Sequence, residues 1–194
     1  MIQKKRIGFF GGTFSPIHSA HVHLAMTAKE QLHLDEVWFV VSPHNPFKDA
    51  FDLLNENHRF HMVECALDGL PGLVASRVEF ELSRPSFTAN TLTRLHHKYP
   101  AVEWVLLLGE DNVAGFPAWE KSDWILHEFV VAAYPRSGSP EHPTDLPIHW
   151  LEGPPLDISS TSIREALRSG QETGNRLHPK VKDYIDKHHL YPSE

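Results

Sequence analysis

Four short apolar runs constrain the fold more than any other feature of the sequence: RIGFF (6–10), EVWFVVS (36–42), WVLLLG (104–109) and FVVAAY (129–134). Each has strand length, is rich in Val, Leu or Phe, and does not alternate cleanly between apolar and polar positions. Strands of that kind are buried on both faces, as in a parallel sheet covered by helices. GLVASRVEF (72–80) reads as a further strand, extended or broken near Ser76. Helical patterns fill the intervals, over 18–33, 55–69, 88–98 and 120–127. This alternation predicts an α/β chain with a doubly wound, mostly parallel sheet and helices on both faces. The stretch 135–155, dense in Pro and Gly, reads as a loop around one short strand near IHWLE. Two helices, over 160–169 and 179–188, close the chain. A length of 194 residues suits a single domain, 1–194, with 155–194 as its C-terminal helical part.

The charge balance narrows the partners. The net charge is −7 with 15 histidines taken as neutral, whereas nucleic-acid binding calls for a basic face. No segment approaches the roughly 18 apolar residues of a membrane span. The N-terminal MIQKKRIGFFGG has a basic start, but its apolar run stops in Gly-Gly, too early for a signal peptide. The single Cys65 excludes an internal disulfide and fits a reducing compartment. The expectation is a cytoplasmic protein acting on small molecules, without nucleic acid or membrane; a homo-oligomer is compatible with it.

Two segments carry the chemistry. The first is FFGGTFSPIHSAH (9–21), a strand that enters a glycine turn and then a helix. That order builds the nucleotide crevice of α/β folds. Neither the dinucleotide G-x-G-x-x-G nor the Walker G-x-x-x-x-G-K-[ST] spacing occurs. Gly11 and Gly12 let backbone approach a phosphate. The helix starts either at Ser15-Pro16, with Ser as cap and Pro in first position, or nearer His18. In both cases residues 18, 21, 25, 28 and 32 form one stripe facing the sheet. His18 and His21 then stand at its N-terminal end, beside a helix terminus that favours anions. A zinc site lacks a third ligand nearby, and the other pairs, His96-His97 and His188-His189, are adjacent and splay apart on a helix. No metal-ligating residue is expected.

The second segment is DISSTSIREALRSG (157–170). Ser159, Ser160, Thr161 and Ser162 crowd a helix start, and Ser162 with Glu165 fits a capping box. Arg164 lies in the first turn, where a guanidinium beside free N–H groups suits a polyphosphate. Between the two segments, SPHNPFKDAFDLLNENH begins as a Pro-rich loop and a candidate substrate lid. Asp111 ends the strand WVLLLGED where α/β sheets place ligand-facing residues, a candidate ribose contact. Arg136 follows the next strand and is a candidate to face the substrate.

Together these segments resemble the nucleotidyltransferase superfamily with H-x-G-H and I-S-S-T-x-I-R signatures. The chain is similar along nearly its whole length to bacterial nicotinate-nucleotide adenylyltransferases. The resemblance lies in GGTFSPIHSAH (11–21), SPHNPFK (42–48), ELSRPSFTANTL (81–92), LLGEDNVAGFPAW (107–119), ISSTSIREAL (158–167) and HPKVKDYIDKHHLY (178–191). Three departures stand out. Ser15 replaces an Asp, Ala20 replaces the Gly of H-x-G-H and adds a methyl where the adenine approaches the backbone, and Phe87 replaces a Tyr.

The resemblance implies a Rossmann-like fold and the transfer of the adenylyl group of ATP to nicotinate mononucleotide. It makes His18, His21 and Arg164 catalytic. It sets Gly11, Gly12, Thr13, Phe14, His18, His21, Ser159, Ser160, Thr161 and Arg164 around ATP, with Mg²⁺ carried in on the ATP phosphates. It assigns Trp119 to stack on the pyridine, the backbone at Thr88 to read its carboxylate, and Lys48 to the mononucleotide phosphate, with Asp111 and Arg136 on the same substrate. Adenylyl transfer to another phosphate acceptor, such as nicotinamide mononucleotide or phosphopantetheine, or a nucleotide-binding regulator without turnover, stays open at this level.

Overall fold

The computed structural model describes residues 4–44, 53–136 and 144–192. Among them six strands form one sheet: β1 (Lys5–Gly12), β2 (Glu36–Val41), β3 (Leu73–Ser76), β4 (Val102–Gly109), β5 (Val130–Tyr134) and β6 (His149–Trp150). The spatial order is β3-β2-β1-β4-β5-β6, and every neighbouring pair is parallel. The expectation of a mostly parallel sheet thus becomes an all-parallel one. GLVASRVEF breaks where anticipated: β3 stops at Ser76 and a 3-10 turn covers Val78–Glu81.

The helices are α1 (Ser19–Gln31), α2 (Glu56–Leu67), α3 (Thr88–Lys98), α4 (Glu110–Val113), α5 (Ser122–Glu128), α6 (Ser160–Arg168) and α7 (Pro179–Lys187). The one-turn α4 has no counterpart in the sequence reading, because four residues are too few to show a period. Two apolar cores sandwich the sheet. One gathers Ala25 and Ala28 of α1, Phe60 and Val63 of α2, Ile163 of α6, and Val181 and Ile185 of α7. The other gathers Ala89, Leu92 and Leu95 of α3 with Ile125 of α5. Sheet residues fill both, Phe39 and Leu107 on the first face and Phe9 and Leu106 on the second. That two-sided burial is why the strands do not alternate. Each buried Leu or Phe contributes about 1.5–3 kcal/mol to the sandwich.

This strand order has its reversal between β1 and β4. The chain winds one way from β1 to β2 and the other way from β4 to β5, which opens a crevice at the carboxyl ends of the two central strands. Gly11 and Gly12 end β1 at that edge and Gly109 ends β4.

Candidate active site

The first wall of the crevice is the turn from β1 into α1. Side chains as well as ligand access explain the glycines. A Cβ on Gly11 would come within 2.9 Å of the Phe9 ring, and one on Gly12 within 3.0 Å of the Phe14 ring. Phe14 turns the chain with a left-handed φ of 46°, a conformation that costs energy in any residue with a Cβ. Its ring is held edge-on by Phe10 at 5.5 Å and by His21 at 5.1 Å. Its side chain is therefore core, and its backbone faces the cleft.

Helix α1 begins at Ser19 with His18 as its N-cap, so the alternative start at Ser15-Pro16 is not used. The backbone N–H of His18 donates to Nδ1 of His21 at 3.2 Å. That bond leaves the proton of a neutral His21 on Nε2. The two rings stack with centroids 3.7 Å apart. Burial, aided by the positive charge of Arg136, lowers the His18 pKa from 6.5 to about 3, so this imidazole is neutral. Its Nδ1 is buried and has no hydrogen-bond partner among the described residues. As anticipated, the stripe continues into the buried Ala25, Ala28 and Leu32; Ala20 and Leu24 broaden it.

The second wall is the start of α6. Ser159 caps it, accepting from the N–H of Ser162 at 3.1 Å. The predicted capping box of Ser162 with Glu165 does not form the helix start, because Ser162 already lies inside the helix and its Oγ donates to the Ser159 carbonyl at 2.9 Å. Ser160 Oγ donates to the Pro16 carbonyl at 3.0 Å, and Arg164 Nη1 donates to the Ser15 carbonyl at 2.9 Å. These bonds bring the two sequence segments together. Ser15 contributes through its side chain too, but not as a cap: its Oγ lies 3.0 Å from the Tyr191 hydroxyl, tying in the chain beyond α7.

Between the walls lies a cleft of about 620 Å³, lined among others by His18, His21, Ser159, Ser160, Thr161 and Arg164. Gly11, Gly12, Thr13, Phe14 and Ala20 line it as well. Asp111 and Arg136, grouped with the mononucleotide at sequence level, also line this larger cleft. They pair at 3.2 Å, and Arg136 Nη2 further donates to the Ile158 carbonyl at 2.9 Å.

A smaller cavity of about 70 Å³ adjoins the cleft across Phe10, Gly11, Gly12, Gly109 and Asn112. Its lining includes Thr88 and Trp119, together with Phe87, Ser86 and Glu79. Trp119 packs against the buried Phe116 with ring centroids 5.2 Å apart. Lys48, and much of the Pro-rich stretch expected as a substrate lid, lie outside the described residues.

Two site residues escaped the sequence reading. Arg59 is fully buried. Its guanidinium donates to the carbonyls of Thr13 and Ser42 at 2.7 Å, Leu54 at 2.8 Å and Pro43 at 2.9 Å, which joins the ends of β1 and β2 to the approach to α2. Burial lowers its pKa to about 10, and it keeps its charge. Glu79 is buried beside the smaller cavity. The available signal was position: Arg59 falls on the inward stripe of α2 with Phe60, Val63 and Ala66, where a charge needs a reason.

An all-parallel sheet whose crevice carries a histidine pair opposite a serine-rich helix start defines a nucleotidyltransferase, and residues 9–166 match the cytidylyltransferase-like family model. The chain belongs to that family, and within it to the nicotinate-nucleotide adenylyltransferases. It is 42% identical over 195 residues to a probable nicotinate-nucleotide adenylyltransferase of Bacteroides fragilis, covering 96% of this chain and 97% of the relative. A counterpart in Streptococcus pneumoniae serotype 4, similarly described, is 34% identical, covering 97% of this chain and 90% of the relative. The same fold occurs in the structure of Plasmodium falciparum nicotinic acid mononucleotide adenylyltransferase complexed with NaAD. That match has a TM-score of 0.82 at 22% identity and covers 96% and 97% of the two chains. No helix among the described residues is long and apolar enough to cross a membrane.

Proposed function

We propose that this chain transfers the adenylyl group of ATP to nicotinate mononucleotide, producing nicotinate adenine dinucleotide and pyrophosphate in pyridine-nucleotide synthesis in the cytoplasm. The observation that carries the reading is the meeting of His18, His21, Ser159, Ser160, Thr161 and Arg164 on one cleft, with an aromatic cavity opening beside it. A polyphosphate in the cleft and a flat ring in the cavity put the two reactants on either side of the Gly11-Gly12 edge.

An oxygen of the mononucleotide phosphate attacks the α-phosphorus of ATP. The bond from that phosphorus to the β-phosphate oxygen breaks, and pyrophosphate leaves with the bonding electrons. A phosphate monoester, with a second pKa of about 6, is already largely dianionic at neutral pH, so no general base is needed. The absence of a demand for proton transfer agrees with a His18 held neutral by burial. Catalysis rests on alignment and on charge neutralisation in the transition state. His21 offers its Nε2 proton to the α-phosphate. Arg164 and the amides and hydroxyls of 159–161 hold the departing pyrophosphate, assisted by backbone N–H groups of Gly12, Thr13 and Phe14.

Mg²⁺ supplies further charge neutralisation on the phosphates when bound. The donor set suits an ion brought in by ATP rather than caged by protein. Among the described residues no group of three or more His, Cys, Asp or Glu is arranged for a metal, and the Asp111 carboxylate on the cleft is paired with Arg136.

The test is pyrophosphate release by purified protein with ATP, Mg²⁺ and a panel of acceptors. Turnover with nicotinate mononucleotide supports the reading. Turnover confined to phosphopantetheine, or ATP binding without release, overturns it.

A further inference from the structure

The smaller cavity contains a feature that ring stacking does not use. Glu79, in the 3-10 turn after β3, is 3% exposed. Its Oε1 accepts a 2.8 Å hydrogen bond from Thr91 Oγ1 of α3. Its Oε2 is buried and has no hydrogen-bond partner among the described residues, and neither has the buried Oγ of Ser86. Both residues line the same cavity, with Thr88 and Trp119. Two orphaned polar atoms on one small cavity call for an explanation, and a ligand that satisfies both provides one.

The surroundings decide the form of the carboxyl. Burial pushes its pKa up; the nearby hydroxyls of Thr91, Ser42 and Ser86 oppose this only in part, and of the three only Thr91 stands in hydrogen-bond geometry with it. The charged groups around it are engaged elsewhere or negative. On its own turn, Arg77 lies over the Phe60 ring at 4.0 Å and Glu81 pairs with Arg94 of α3 at 2.9 Å. From β2 and the loop before α3 come the hydroxyls of Ser42 and Ser86, and across the cavity the other acid is Glu120. Among the described residues that line this cavity there is no Lys, Arg or His. An ionised Glu79 would therefore meet an incoming carboxylate with no cation among the described lining residues to intervene.

We propose that Glu79 serves the ring cavity as a neutral carboxylic acid, donating its proton to the acidic group on the pyridine ring alongside Ser86, and thereby sets the preference between the acid and amide forms of the mononucleotide. This rests on the proposed function and refines it. A neutral Glu79 makes a charge-assisted hydrogen bond to a ring carboxylate. An ionised Glu79 repels that carboxylate but accepts from a ring amide. Selectivity for the acid form is thus greatest at low pH and declines once Glu79 ionises.

The experiment measures kcat/KM for nicotinate and nicotinamide mononucleotides from about pH 6 to about pH 9 and follows their ratio. The ratio cancels titrations common to both substrates, including their phosphates and the histidines. In the wild type the acid-to-amide ratio falls, by about tenfold per pH unit in the limit where a single proton controls it. Glu79→Gln, a permanent neutral donor, retains a preference for the acid form and gives a flat ratio. A merely structural Glu79 would leave the ratio independent of pH in both proteins. A flat wild-type ratio overturns the inference even if the variant fails to fold, and so does a variant whose ratio still falls with pH. A wild type that turns over neither mononucleotide removes the proposed function itself, and the inference with it.

Discussion

Arg164 at the start of the second turn of α6 donates from Nη1 to the carbonyl oxygen of Ser15, 149 positions earlier, at 2.9 Å. This bond holds the guanidinium against the loop that leaves β1, and a 3.4 Å bond from Nη2 to Thr161 Oγ1 orients it further. A lysine would retain the charge and lose the planar fork. Arg164→Lys is expected to lower kcat/KM for ATP by about 10²-fold, read from steady-state pyrophosphate release. An unchanged value would separate the residue from the reaction.

The His18 N–H occupies Nδ1 of His21, so a neutral His21 carries its proton on Nε2. His21→Ala should reduce kcat by about 10²–10³-fold and leave the dissociation constant of ATP within a few-fold of the wild type. Single-turnover kinetics together with equilibrium ATP binding resolve the two effects. A loss confined to binding would contradict a transition-state contact.

Trp119, on the smaller cavity and braced by Phe116, should matter to the ring more than to the nucleotide triphosphate. Trp119→Ala is expected to raise KM for the mononucleotide by at least about tenfold, the equivalent of a base–aromatic stack, with a smaller change for ATP. Equal shifts for both substrates would argue against stacking.

His18 links stability to pH. Its folded pKa of about 3 lies below the usual 6.5. Between these values the unfolded chain takes up the proton and the folded chain does not. Stability from this group is therefore full above 6.5 and is lost as pH falls, with a limiting slope of about 1.4 kcal/mol per pH unit. Urea unfolding of the wild type and of His18→Asn at a series of pH values checks the sign. The difference between their stabilities should shift in favour of the variant as the solution becomes more acidic.

Arg59 satisfies four carbonyls from three separate segments. Arg59→Met leaves those acceptors buried and unpaired, and is expected to cost about 3–5 kcal/mol in denaturant unfolding. A near-neutral substitution would mean that water enters and replaces the guanidinium.

The strands and most of the helices were legible because their signals are local. Unalternating Val, Leu and Phe runs mark β1, β2, β4 and β5, and the serine run at 159–162 marks the start of α6. The start of α6 at Ser160 agrees with the predicted 160–169, but its cap does not: Ser159 and Ser162 are both good caps and only their bonds distinguish them. Ser15 was expected near a helix start, as Asp would be, yet its hydroxyl serves Tyr191 at the other end of the chain. Glu79 and Arg59 passed unnoticed because a charged residue within a mixed segment reads as solvated until its neighbours are known.

The order of residues by itself determined the layered α/β architecture, the glycine turn and the serine-rich start of α6, since hydrophobic period, backbone freedom and capping act over a few residues. Only the tertiary structure decided that His18 is buried and neutral, that Arg164 reaches Ser15, that Asp111 and Arg136 line the larger cleft, and that Glu79 lines the smaller cavity. Burial, desolvation and long-range hydrogen bonds depend on which distant segments the parallel sheet brings to its central crevice, and no local stretch of sequence contains that information.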